Sequence, residues 1–149
     1  MIKVIAPGLY SSIQDNGRFG FRNIGVPYSG FMDNESAGIA NKIVGNKESE
    51  SLIEITLMGP TLLFNNTYTL SITGGDFSSS INNDKIEMYK PIDVKLGDTL
   101  KINHTKSGAR CYLAISGGID IKSILGSKSS FKGITSSYFL KKGDEIKII

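Results

Sequence analysis

Along most of this chain, apolar and polar positions alternate over short runs, and the runs are punctuated by turn residues. Lys3 to Ala6 reads as a strand, stopped by Pro7-Gly8. Ser51 to Thr56 alternates, and Gly59-Pro60 turns it. Thr61 to Phe64 and Tyr68 to Thr73 are rich in strand formers, with Asn65-Asn66 between them and Gly74-Gly75 breaking the second. Phe77 to Ile81 and Lys85 to Tyr89 flank Asn82-Asn83-Asp84, a hairpin turn by composition. Thr99 to Ile102, Arg110 to Ser116 and Ile146 to Ile149 complete the strand series. Lys95-Leu96-Gly97-Asp98 and Lys142-Gly143-Asp144 each lead into an alternating strand, which predicts two similar corners. Turn signals at this spacing point to a sandwich or barrel.

One stretch breaks the pattern. Ala37, Ile39, Ala40, Ile43 and Val44 follow helical spacing and predict one prominent helix over about residues 34–44. Asp33 is placed to cap its N-terminus, and Gly45 or Asn46 to end it in the left-handed conformation. Before this helix, residues 13–33 form a polar, glycine-rich segment whose interspersed apolar residues argue against disorder. A long loop of this kind is expected to carry chemistry or a partner contact. Phe19, Phe21, Tyr28 and Phe31 suit a partner surface.

Composition narrows the functions. With 149 residues, a single domain over residues 1–149 is expected. No apolar run is long enough to span a membrane, and the N-terminus has no signal-peptide pattern. The single cysteine, Cys111, suits a reducing compartment, so a cytoplasmic location is expected. Residues 1–75 hold five basic and six acidic side chains, and residues 76–149 hold twelve and eight. The lysines of the second half are scattered, which suits solvated strand faces and not nucleic acid. One histidine, His104, and one cysteine are too few for a zinc site, and no metal is expected. No phosphate-binding glycine loop is present.

The candidates for chemistry cluster on turns. Asp15 and Arg18 either pair to stiffen the loop or offer a guanidinium to a carboxylate or carbamoyl group. Gln14 offers a donor and an acceptor to an amide edge. Ser29 and Gly30 precede the helix N-terminus, where free N–H groups attract anions. Glu54 points away from Ile53 and Ile55, toward solvent or a cleft. Asn41 lies among apolar helix neighbours, as a bridge to the loop would. Asp76 follows Gly74-Gly75 and suits a turn or a cleft rim, and Arg110 opens an otherwise apolar strand.

Several motifs occur in order along the chain. They are Pro7-Gly8-Leu9, Ile13-Gln14-Asp15-Asn16-Gly17-Arg18-x-Gly20, Gly25-Val26-Pro27-x-Ser29-Gly30-x-Met32-Asp33 and Ala40-Asn41-x-Ile43-Val44-Gly45-Asn46. Further along come Glu54-x-Thr56-x-x-Gly59-Pro60, Thr73-Gly74-Gly75-Asp76, Gly108-x-Arg110-x-Tyr112-Leu113-Ala114 with Gly117-Gly118, and Leu125-Gly126-Ser127-x-Ser129-Ser130. Together they resemble the family known as the 5-oxoprolinase C subunit, KipA-type protein or allophanate hydrolase subunit 2, which is biotin-dependent carboxyltransferase-like. The chain is similar to the N-terminal half of that family. The resemblance implies a mainly β, cyclophilin-like β-barrel. It also implies membership of an ATP-dependent 5-oxoprolinase, a hydrolase that opens the lactam of 5-oxoproline to glutamate. Two companion subunits are implied, one of LamB/YcsF type and one of KipI type, the latter also known as subunit 1. ATP would be bound in the complex. Gln14, Asp15, Arg18, Asp76 and Arg110 are the expected catalytic set, and Ser29, Gly30, Asn41 and Glu54 the expected substrate contacts. Two alternatives remain open. One is a non-catalytic module that binds a KipI-type histidine-kinase inhibitor. The other is the carboxyltransferase component of a urea carboxylase or allophanate hydrolase-type system. This chain has no biotinylation motif, so biotin is not expected on it.

Overall fold

The computed structural model describes residues 1–136 and 138–149. In chain order the strands are β1 (Ile2–Ala6), β2 (Tyr10–Gln14), β3 (Leu52–Thr56), β4 (Thr61–Phe64), β5 (Tyr68–Asp76) and β6 (Ser80–Ile81). They continue as β7 (Asp84–Lys85), β8 (Ile92–Val94), β9 (Thr99–Lys101), β10 (Ser107–Ile115) and β11 (Glu145–Ile146). The helix α1 (Asn34–Ile43) lies between β2 and β3 in sequence. The strands form two antiparallel sheets, in the orders β11-β1-β4-β9-β6-β7 and β2-β3-β10-β5-β8. Among the described residues, no helix is long and apolar enough to cross a membrane.

The mainly β expectation therefore holds, with corrections in detail. The strand β5 does not break at Gly74-Gly75 but runs on to Asp76. A register shift in β10 between Ser107 and Cys111 accommodates the two glycines. A side chain at Gly75 would meet the Ser107 carbonyl oxygen at 2.6 Å, so only glycine lets the backbones approach this closely. The segment expected to return as Lys85 to Tyr89 pairs only at Asp84–Lys85. Two strands, β2 and β8, went unforeseen. β2 is mostly polar, with Ile13 in the core, and Ser11 and Ser12 are buried, with the Ser11 hydroxyl donating to the Pro7 carbonyl at 3.2 Å. The two Gly-Asp corners do match. The amides of Lys95 and Lys141 donate to Asp98 and Asp144 at 2.8 and 2.9 Å, and Gly97 and Gly143 share a φ of 90°.

The main core lies between the sheets. Ile2, Val4, Leu62, Phe64 and Leu100 meet Ile53, Ile55, Leu70, Ile72 and Leu113 across it. Cys111 is buried in the same layer. A smaller cluster holds α1 on the outer face of the second sheet, where Ala37, Ala40 and Val44 pack on Leu52, Tyr112 and Ala114. β3 and β10 are thus buried on both faces. This corrects the expectation for Glu54. It does point away from Ile53 and Ile55, but the 31–33 segment covers it, leaving it 6% exposed.

Asp33 caps α1 as expected. Its carboxylate accepts from the Ser36 amide at 3.1 Å and the Ser36 hydroxyl at 2.6 Å. Gly45, with φ of 79°, supplies the left-handed residue after Val44. The polar loop before the helix is anchored by a buried network. The Asp15 carboxylate accepts from the Gly17 amide, the Ser127 and Ser129 hydroxyls and the Lys128 amide, all between 2.6 and 2.9 Å. Arg18 is fully buried, and its guanidinium donates to the carbonyls of Ile124, Ser127 and Ser129 at 2.8–3.1 Å. Burial pulls this guanidinium below its ordinary value, and the Asp15 charge pulls it back. Acid and base therefore do not bond each other directly. They grip the same short segment from two sides.

Two outcomes follow from these anchors. Asp33→Ala should cost about 1 kcal/mol at neutral pH, because the first helical turn loses its acceptor. The Ser36 bonds hold the Asp33 carboxyl below its ordinary value of 3.8. Its stabilisation is therefore complete above that value and lost as the pH falls through the lower folded one. Urea midpoints of wild type and variant, compared from pH 7 downward, should converge in strong acid and nowhere else. Asp15→Asn should cost about 3 kcal/mol, since the Lys128 amide would face an amide nitrogen in place of Oδ2 and the bonds to Oδ1 would lose their charged acceptor. Hydrogen exchange should accelerate first at residues 127–130. Exchange that rises evenly over the chain would refute the anchor.

Candidate functional site

The expected site residues fall into separate groups. Gln14, Asp15, Arg18, Ser29 and Gly30 form one buried cluster beneath residues 124–130. The Gln14 amide nitrogen donates to the Ser12 hydroxyl and the Ser130 carbonyl, and its oxygen accepts from the Gly30 amide at 3.0 Å. Gly30 must be glycine, because a side chain there would lie 2.8 Å from Gly17 Cα. Two buried polar atoms in this cluster, Arg18 Nη1 and Ser29 Oγ, have no hydrogen-bond partner among the described residues. Asn41 sits elsewhere. It is fully buried and donates to the carbonyls of Glu48 and Glu50 at 3.2 and 2.8 Å, so it bridges to the chain after the helix and not to the polar loop.

Glu54 and Arg110 converge with the helix N-terminus. The Tyr112 hydroxyl donates to Glu54 Oε2 at 3.0 Å and accepts from the Asp33 amide at 2.9 Å. The same Glu54 oxygen accepts from the Met32 amide at 2.9 Å. Burial and the Glu54 charge push the Tyr112 phenol above its ordinary range, which keeps it a donor. One carboxylate and one phenol thus fix two successive backbone amides where the loop enters α1.

Beside that point lies an open cleft of about 500 Å³. Met32, Asp33 and Ser36 form one wall, Gly74 and Gly75 the floor, and Arg110 the opposite side. The floor is bare backbone, since a side chain at Gly74 would meet the Arg110 carbonyl oxygen at 2.8 Å. Arg110 is half-buried, and its guanidinium has no hydrogen bond or ion pair among the described residues. Asp33, the anion on the facing wall, already accepts two bonds from Ser36. Tyr89, which carries no mark in the sequence pattern, also lines the cleft. Asp76 does not join this cleft. It is exposed, accepts from the Ser78 amide at 2.9 Å, and lines a separate hollow with Lys85 and Met88.

Chemically, the cleft offers the unpaired Arg110 guanidinium and the Tyr89 phenol beside an Asp33 carboxylate already engaged by Ser36. It suits a small, flat ligand rich in acceptor oxygens, such as a carboxylate or an amide carbonyl.

The chain is 46% identical to a urea amidolyase of Lachancea kluyveri over 147 residues, covering 95% of this chain and 8% of that protein. It is 33% identical to the 5-oxoprolinase C subunit of Escherichia coli over 152 residues, covering 99% of this chain and 49% of that protein. The crystal structure of the K. lactis urea amidolyase superposes with a TM-score of 0.95 at 42% identity, over 99% of this chain and 9% of that one. The chain thus spans about half the length of the bacterial relative and under a tenth of the yeast ones. The family described as the carboxyltransferase domain, subdomain A and B, matches residues 24–149, and this chain belongs to it.

Proposed function

We propose that this chain is a component of a cytoplasmic ATP-dependent 5-oxoprolinase, working with companion subunits of the LamB/YcsF and KipI types. In this reading the two sheets make up the cyclophilin-like barrel that the resemblance implies. The observation that carries the reading is Arg110, half-buried at the edge of a glycine-floored cleft with its guanidinium unpaired among the described residues. A charge in that position needs an anionic partner, and 5-oxoproline brings a carboxylate on the same small ring as its amide. The 33% identity to a 5-oxoprolinase component supports the choice of substrate.

A lactam carbonyl is a poor electrophile, so much of the rate must come from holding the ring and stabilising charge on its oxygen. Arg110 holds the carboxylate in this scheme. The Met32 and Asp33 backbone, fixed by Glu54 and Tyr112, sets the opposite wall. Gln14, Asp15 and Arg18 act one layer back, by holding the loop that carries that wall. Asp76 and Asn41 are given no contact with the ring. ATP is assigned to the companion subunits, because this chain offers no phosphate loop, and no step through it is drawn on these residues.

A second reading has its own support. The 46% identity to a urea amidolyase favours a carboxyltransferase acting on urea, with carboxybiotin delivered by another chain. The two readings diverge in one assay series. Lactam-dependent ATP hydrolysis is measured with this chain and the LamB/YcsF-type and KipI-type companions, each omitted in turn. Activity that requires this chain, and falls about a hundredfold in Arg110→Ala, is the expected result. Urea-dependent turnover with a biotin carboxylase, and none with the lactam, would establish the second reading. A stable complex with no activity under either regime would favour a binding module.

A further inference from the structure

Tyr89 combines three unusual features. Its backbone is left-handed, at φ of 59°, a conformation that strains a bulky residue. Its amide donates to the Ile72 carbonyl at 2.9 Å, which holds the strained residue against β5. Its phenolic oxygen accepts from the Gly74 amide at 3.1 Å.

That last bond fixes the direction of the hydroxyl. The ring oxygen uses a lone pair on Gly74, so its own proton must point elsewhere. Among the described residues no acceptor takes that proton. The phenol lies over the glycine floor of the cleft that Arg110 borders. A tyrosine 48% exposed has no packing reason to be kept in a strained backbone. A ligand contact supplies one.

We infer that Tyr89 is a specificity-determining residue of the cleft, donating its phenolic proton to a carboxylate oxygen of the ligand whose charge Arg110 balances. This inference rests on the 5-oxoproline reading above and adds the second arm of the carboxylate grip. Two donors on one carboxylate, Arg110 from β10 and Tyr89 from the loop before β8, distinguish a carboxylated lactam from the bare ring. Arg110 supplies charge, and Tyr89 supplies direction. The tyrosine contacts the ligand but not the scissile bond, so its loss should weaken capture and leave the chemical step intact.

The test is Tyr89→Phe in the assembled enzyme, titrated with 5-oxoproline and with 2-pyrrolidone, which lacks the carboxylate. The ring and backbone are retained, and the Gly74 amide is left to water. The KM for 5-oxoproline should rise about tenfold with kcat nearly unchanged. Turnover of 2-pyrrolidone by the variant should match wild type. The thermal midpoint should not move. An unchanged KM, with wild type active on 5-oxoproline, would overturn the assignment of Tyr89 and leave the lactam reading standing. A kcat that falls with KM constant would overturn it as well, placing Tyr89 in the chemistry instead of in recognition. A wild-type assembly that ignores 5-oxoproline would overturn the lactam reading, and the Tyr89 assignment with it.

Discussion

The buried grip of Asp15 and Arg18 on residues 124–130 is the constraint on which the rest of the structure depends. A charge removed from water must be met by hydrogen bonds, and here both charges find most of theirs in one segment, with Arg18 Nη1 alone left without a partner among the described residues. The arrangement fastens two stretches more than a hundred residues apart in sequence without an apolar core between them. It also explains the glycines. Gly17 and Gly30 touch backbone to backbone, and any side chain at Gly30 would push apart the two arms of the loop.

From that anchor, order passes toward the cleft through short bonds. Gln14 holds the Gly30 amide, Glu54 the Met32 amide, and Tyr112 the Asp33 amide. Asp33 then caps α1. Each bond alone is worth about 1 kcal/mol, or somewhat more where a charge takes part. Their joint effect is geometric. The chain enters the helix at a fixed angle, so the wall facing Arg110 is set by residues most of which do not line the cleft at all. Polar residues expected at the ligand are, in this structure, spent on positioning the backbone that faces it.

Much of the fold was legible in the sequence because its signals are local. The helix, its Asp33 cap and the Gly45 stop are set by neighbours within a turn, and the Gly-Asp corners by three residues each. β2 was not legible. Its serines carry no alternation, and only tertiary partners, β3 on one side and Ser130 and Leu140 on the other, make it a strand. The glycine pair in β5 read as a break because the bulge that absorbs it lies in β10, about thirty residues downstream. The site was legible only in part for the same reason. Arg110 stood out as a charge in an apolar strand. Tyr89 had no such mark, since its interest comes from a backbone angle and a bond to Gly74.

In the proposed reading, one cleft could serve either of the two activities named among the similar proteins. Ring opening of a lactam and carboxyl transfer to urea both concern a carbonyl flanked by nitrogen, and both gain from fixed donors aimed at oxygen. A scaffold that holds a guanidinium, a helix end and a bare glycine floor in one place needs little change to serve either. The difference must lie in what else the ligand carries. A carboxylate on the ligand would use the charge of Arg110 directly. A neutral ligand would leave that charge for a second, anionic participant. In the proposed reading, occupancy of the Arg110 guanidinium is the physical variable that would separate the two chemistries on one fold.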